Sequence, residues 1–261
     1  MALVATCSAK RSPGVTVTCL AFTLSWTRRT ILAECDPAGG DIAAGYLREV
    51  PLGDRGLAQL TASAHRGRLA EDLWTQLVDL APGKGTAMTR LLLPGLADPA
   101  QAAGLASGWG QLADLFASLE HGTPGFDVIA DCGRLSTVHP PTPLLMAADA
   151  VLLVLQPTLP SVRASAAALA ALYRDGIDQV GLVTVGDGAY APKEIAAELH
   201  APLIAALPDD PGTATVLSTG GEHHRGRLLR AAARAEPAVR QLVAAGRTRR
   251  HADARQVRSV R

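Results

Sequence analysis

Lysine is almost missing from this 261-residue chain: only Lys10, Lys84 and Lys193 stand among its 25 basic residues, so arginine carries nearly all the positive charge. A lysine kept in a loop of so arginine-biased a chain draws attention to Lys10. An excess of charge of either sign is missing too. The 25 Lys and Arg against 24 Asp and Glu leave a formal charge of +1, so only a local patch could draw in a nucleic acid or a membrane surface. Paired cysteines are lacking. Cys7, Cys19, Cys35 and Cys132 show no CxxC spacing and sit in apolar, strand-like runs, the pattern of reduced, buried thiols rather than of disulfides or zinc ligands. A cytoplasmic location is the expectation. No run of about 18 uninterrupted apolar residues occurs, and no basic segment precedes an apolar one near Met1, so neither membrane spanning nor export is expected.

What the chain does contain is 48% hydrophobic residues arranged as contiguous apolar runs that alternate with alanine-rich segments, the pattern of a parallel sheet covered on both faces. Strands are expected at 2–7, 30–35, 89–93, 126–131, 150–155, 180–185 and 203–207. Helices are expected at 15–26, 57–64, 69–80, 161–174 and 192–200, with a further one from Asp98-Pro99 to about Leu119. In that last case an N-cap aspartate and a proline in the first turn supply the start signal. From about Arg225 the chain reads as alanine- and arginine-rich helix. The fold class is therefore α/β, a mainly parallel, doubly wound sheet in a single domain over 1–246. Residues 247–261 form a basic tail, expected to be disordered, with Arg247, Arg249, Arg250, Arg255, Arg258 and Arg261 against Asp253 alone. It lacks the apolar face of a membrane-targeting helix, and weak contact with DNA or anionic lipid is the sharper alternative.

Chemistry concentrates in the first βα turn, Ser8-Ala9-Lys10-Arg11-Ser12-Pro13-Gly14-Val15-Thr16-Val17-Thr18, where a helix N-terminus offers amides to an anion. The second strand ends in Glu34-Cys35-Asp36-Pro37-Ala38-Gly39-Gly40, and the strand Phe126 to Asp131 closes on a carboxylate. In such sheets the C-terminal strand edge faces the ligand crevice. The run Ala148-Asp149-Ala150-Val151-Leu152-Leu153-Val154, with Pro157, and the turn Leu207-Pro208-Asp209-Asp210 follow in order.

Together these segments resemble the ParA/MinD family of deviant P-loop NTPases, whose loop reads KGGxGK[ST][ST] and whose later segments read DxDPQGG, YDxxIxD and ADxxLLV. The resemblance spans roughly residues 2 to 220. It implies that Lys10 matches the family's signature lysine, that Gly14 precedes the P-loop lysine position, and that Thr16 is the magnesium-binding hydroxyl. It implies further that Asp36 orients the attacking water, that Asp131 is the carboxylate supporting magnesium from behind its directly bound ligands, and that Pro208 and Asp209 border the purine. ATP and Mg2+ are the implied ligands, bound along Lys10, Arg11, Ser12, Gly14, Val15, Thr16 and Val17, with Thr16, Asp36 and Asp131 on the metal and Asp36 and Lys10 in the catalytic roles. A homodimer closed by nucleotide, and an unidentified protein partner, are implied as well.

The chain departs from that pattern where charge matters. Arg11 and Ser12 replace the two leading glycines, and Val15 occupies the P-loop lysine position, so the cation that normally reaches the β- and γ-phosphates is lacking. Pro13 removes one donor from a loop that works through donated N–H groups. Glu34 stands for an aspartate, Ala38 for a glutamine, and Gly186 where many relatives place an adenine-reading asparagine. The expectation is a partitioning or positioning switch protein reduced to a pseudo-ATPase. Two alternatives stay open: a working ATPase in which Lys10 or Arg11 substitutes for the lysine, and a nucleotide-free interaction module. Asp36 and Asp131 also read as strand-end carboxylates that merely cap turns. Pro82 to Thr86 reads as a surface turn, and His223-His224, without a ligand partner at suitable spacing, as a solvated one.

Overall fold

The computed structural model describes residues 3–10, 14–80, 89–221 and 226–259, with side chains to residue 248. Pro82 to Thr86, His223-His224, Arg11, Ser12 and Pro13 lie outside the described residues. In chain order the elements are β1 (Leu3–Ser8), α1 (Val15–Ser25), β2 (Thr30–Glu34), α2 (Leu57–His65), α3 (Leu69–Gln76), β3 (Val78–Asp79), β4 (Arg90–Leu93), α4 (Ala102–Leu105) and α5 (Trp109–Ser118). They continue with β5 (Asp127–Arg134), α6 (Thr142–Ala147), β6 (Ala150–Leu155), α7 (Leu159–Arg174), β7 (Val180–Val185), α8 (Pro192–Glu198), β8 (Leu203–Leu207), α9 (Pro211–Thr219) and α10 (Arg227–Ser259).

Eight strands form one sheet in the order β3-β4-β2-β5-β1-β6-β7-β8, and only the edge strand β3 runs antiparallel to its neighbour. The period of two along each strand divides its side chains between two cores. Leu3, Ala5 and Cys7 of β1, Val128, Ala130 and Cys132 of β5, and Val151, Leu153 and Leu155 of β6 face one core, shared with Leu57 of α2, Phe116 of α5 and Leu169 of α7. Val4, Leu32, Ile129, Leu152 and Val154 face the other, built with Leu20 and Phe22 of α1, Leu217 of α9 and Val239 of α10. Both faces are thus apolar, which is why the strands read as unbroken hydrophobic runs. The doubly wound, mainly parallel sheet is the fold class expected from sequence.

The same alternation sets the acids. Asp127, Ile129 and Asp131 alternate with the residues of the first core and so share the face covered by α1. Asp127, at the N-terminal end of β5, accepts from Trp26 Nε1 at 2.8 Å and has the guanidinium groups of Arg28 and Arg240 each 4.0 Å away. It is a fixed structural carboxylate. Asp131, four residues on, lies toward the opposite edge of the sheet.

Several elements differ from the sequence reading. The helix expected from Asp98 to Leu119 is broken into a 3-10 turn, α4 and α5, because the turn around Gly108 interrupts it, although Asp98 does accept from the amide of Ala100 at 2.8 Å as the start signal implied. The helix expected over 69–80 stops at Gln76, and the chain turns at once into β3, which pairs Val78 with Leu92. The Pro-rich stretch before residue 147 contains α6, with Pro143 in its first turn, and α9 follows the Pro-Asp turn with Asp210 capping the amide of Thr213 at 3.2 Å. Nor is the chain a coil from 247. Helix α10 continues through that point to Ser259, and Arg247 Nη2 lies 2.7 Å from Asp149 Oδ2 and 2.8 Å from Glu120 Oε2. Arg247 therefore belongs to the folded body, held there by two carboxylates that the sequence does not show to be near it.

Arg247→Ala should lower the melting temperature by about 2–4 °C, the equivalent of roughly 1 kcal/mol in a domain of this size. Calorimetry at low and high salt checks this. An unchanged melting temperature would mean that Arg247 is a solvated tail residue.

Candidate functional site

The site is built where β1, β2 and β5 end and α1 begins. Gly14 caps α1 with φ of 86°, the left-handed turn that lets the chain pass from loop to helix. Val15, the first residue of α1, is only 7% exposed and packs in the core beneath that helix. Its apolar, β-branched side chain is satisfied there, so position 15 offers no cation to the loop. Thr16, one residue on, hydrogen-bonds through its side chain to Asp131. Lys10 is exposed, and the Ser8 hydroxyl donates to its carbonyl oxygen at 2.9 Å, fixing the backbone where the chain leaves β1. Val17 is half-buried against the same core as Val15.

Asp131 is 2% exposed. Burial pushes its carboxyl up to about 7, against the opposing hydrogen bonds from Thr16 and from the Gly133 amide at 2.9 Å. The negative charges of Glu34 and Asp36 act in the same upward direction. Glu34, which the sequence reading treated only as a substitution, turns out to organise the edge. Its Oε1 accepts from the amides of Asp41 at 2.8 Å and Ile42 at 2.9 Å, and its Oε2 from Gly95 at 3.1 Å. One buried carboxylate thus ties the turn after β2 to the loop after β4. Those two loops cross at Gly40 and Gly95, where a Cβ on either would come within 2.9 Å of the other's Cα. Burial also raises Glu34, while the three backbone donors lower it.

Asp36 sits above Gly133. A Cβ there would fall 1.9 Å from Asp36 Oδ2, and Gly133 has φ of 59°, so both space and backbone require glycine. The Asp36 carboxyl is raised by desolvation, opposed by the Ala38 amide at 2.8 Å and by the positive charge of Arg134. Arg134, the last residue of β5, lowers the Asp36 carboxyl by its charge, and it was not among the expected site residues because β5 was expected to end at Asp131. Its Nε is buried without a hydrogen-bond partner.

Thr16, Asp36 and Asp131 are thus brought together as expected from sequence, with Glu34 and Arg134 added. Pro208 lies apart, at the end of β8, on the wall of a separate cavity; the carbonyl of the adjacent Asp209 accepts from Arg227 Nη2 at 2.9 Å. The two regions adjoin through Gly14, since a Cβ there would lie 3.9 Å from Val185 Cγ1 at the end of β7. Among the described residues no group of three or more His, Cys, Asp or Glu side chains is set to hold a metal by itself, and no helix is long and apolar enough to cross a membrane. The oxygen atoms of Thr16, Asp36 and Asp131 are chemically suited to magnesium. The loop is not suited in the same way to triphosphate, because Val15 is turned into the core.

No protein-family profile matches the chain, and no curated protein sequence matches it. Solved structures do. The cell division ATPase MinD of Pyrococcus furiosus superposes with a TM-score of 0.70 at 17% identity over 93% of this chain and 100% of its own. The septum site-determining protein MinD of Pyrococcus horikoshii OT3, complexed with Mg-ADP, gives 0.69 at 16% identity over 93% and 97%. A ParA family ATPase from Chlorobium tepidum TLS gives 0.64 at 16% identity over 88% and 97%. At such identities the likeness establishes the fold: this chain is similar to MinD and ParA ATPases along nearly its whole length.

The raised Asp131 carboxyl makes a pH-dependent prediction. Because the folded state holds this proton more tightly than the unfolded state, its contribution to stability is complete below the ordinary aspartate value of 3.8 and is lost as pH rises through about 7. Asp131→Asn should therefore be more stable than the parent at about pH 8, by on the order of a few kcal/mol, with the gain vanishing toward about pH 4. Denaturant melts across that range test it, and parallel pH curves for the two proteins would contradict it.

Proposed function

We propose that this chain is a nucleotide-responsive switch protein of the ParA/MinD type, acting in intracellular positioning or partitioning, whose phosphate loop has lost the charge needed for efficient ATP hydrolysis. One observation carries the second half of that reading: Val15 is buried in the core at the position of the P-loop lysine. The fold, the left-handed Gly14 at the start of α1 and the grouping of Thr16, Asp36 and Asp131 support the first half.

In this reading Thr16 and Asp36 would hold Mg2+, with Asp131 supporting them from the end of β5 through its hydrogen bond with Thr16. When bound, the ion supplies the positive charge that offsets phosphate. Asp36 is the water-orienting carboxylate, held in place by Gly133 beneath it and by the Ala38 amide. Glu34 keeps the β2 turn and the β4 loop in register so that Asp36 has one position. Lys10 is the exposed lysine free to reach an anion at the mouth of the loop, or across to a second copy. A homodimer closed over this edge fits the exposed Val138, which lies in the loop that leaves β5 from the site. The charge of Arg134, already drawn toward Asp36, compensates only part of the missing lysine. Losing one such stabilising charge is worth about two to three decades in rate.

The magnesium-dependent binding of ATP should accordingly lie in the high-micromolar range, about −5 to −6 kcal/mol, with hydrolysis near background. Isothermal titration with and without magnesium, together with a phosphate-release assay, checks both. Micromolar or tighter magnesium-dependent affinity, or turnover that Lys10→Ala abolishes, would show instead a working ATPase in which Lys10 replaces the lost lysine.

A further inference from the structure

Two helices leave an apolar groove on the outside of the molecule. Because β6, β7 and β8 run parallel, α7 and α8 return side by side across one face of the sheet, with Leu169 and Leu172 of α7 and Ile195 and Leu199 of α8 in the first core. The groove between them holds a cavity of about 490 Å³, with Val162, Ile195 and Leu199 at its base. The outward side of α7 carries little charge. Leu159 is 52% exposed, and Ala166, Ala167 and Ala170 follow it at the surface, leaving Arg163 as the charged residue of that stretch. A surface helix ordinarily turns polar residues outward, so a face of leucine and alanine beside an apolar groove is one that lacks its cover.

The charges at the groove are divided between its two sides. Arg163 stands one turn into α7, and Glu194 and Glu198 stand in the first and second turns of α8. Glu194 accepts from the Ala191 amide at 3.0 Å and so caps α8, whereas no ion pair among the described residues engages Arg163 or Glu198. A pair of helices with an apolar seam between them is half of a four-helix bundle. A two-fold axis along the seam lays α7 of each copy on α8 of the other, which sets each Arg163 against the acids of the second copy and gathers Leu159, Val162, Ile195 and Leu199 of both into one core. A two-fold axis across the seam would set α7 on α7, and like charge on like. The face is therefore complementary to itself in one orientation, and the exposed alanines let a facing helix come close.

We propose that the face formed by α7 and α8 is a self-association surface whose occupant is a second copy of this chain, docked α7 on α8 about a two-fold axis as a four-helix bundle. This contact is independent of nucleotide and of magnesium. It lies on the outer side of α7 and α8, away from the strand edge that carries Asp36 and Asp131, and it stands whether or not the loop before α1 binds a nucleotide. Helices of 16 and 7 residues bury little area, so the dimer belongs to the weak, reversible class, with a dissociation constant of about 10–100 µM.

Sedimentation equilibrium of the full chain, without nucleotide or magnesium, tests this. The parent should be mainly dimer at about 300 µM; a chain that is mainly monomer there would overturn the proposal and leave the groove to a different partner. Ala166→Arg places a long cation in the middle of the contact and should weaken association at least tenfold, whereas Val138→Glu, in the loop that leaves β5, should leave it unchanged. Arg163→Glu and Glu198→Arg should each weaken it about tenfold, because the symmetry repeats the like-charge contact twice. An equimolar mixture of those two variants should recover the parental affinity, since each copy then meets its opposite charge. All four positions are exposed, and circular dichroism establishes that each variant is folded. Association that survives Ala166→Arg or is lost in Val138→Glu would put the contact elsewhere, and a mixture that stays as weak as its components would rule out the pairing of Arg163 with Glu198; each result overturns the proposal.

Discussion

A carboxyl group wholly buried at the end of β5, with a threonine hydroxyl and a backbone amide for company and two further acids nearby, is pushed up to about 7, so its negative charge is costly to hold. Much of the edge is arranged around that fact. Asp131 is placed there by the alternation along β5, which puts it on the α1 side with Asp127; the two acids differ in that Arg28 and Arg240 approach Asp127, while Asp131 is held by Thr16 and the Gly133 amide. An acid in such a place destabilises the fold when it ionises, and a divalent ion removes that penalty.

The neighbouring parts make the same compromise in different ways. Glu34 satisfies its buried charge with three amides and so becomes a strut between two loops. Asp36 is only half-buried and leans on Arg134. Val15 carries no charge, and its burial adds to the packing of α1. The edge therefore combines three acids with a helix start whose first residue is apolar and buried.

How much of this the sequence disclosed depends on whether the signal was local. The strands were legible because burial on both faces makes each an unbroken apolar run, and the grouping of Thr16, Asp36 and Asp131 followed from ordered motifs at strand ends. The break between α4 and α5 and the short β3 were not, since each is decided by tertiary packing around weak local preferences. Glu34 looked like a conservative exchange because its three donors come from 41, 42 and 95, which no spacing rule joins to position 34. Arg134 was hidden by a strand that runs three residues longer than its apolar core. Arg247 read as part of a solvated tail because Glu120 and Asp149 meet it only in the fold.

The central claim is that the loop before α1 no longer grips phosphate although the fold around it is intact. Residue-resolved hydrogen exchange with about 50 µM Mg-ATP addresses it directly, because amides that cradle phosphate are protected when it binds. The account predicts no change in exchange for the amides of residues 14–18 and 131–135. A tenfold or greater slowing at Val15, Thr16 and Val17 under those conditions would show a competent phosphate loop and contradict it.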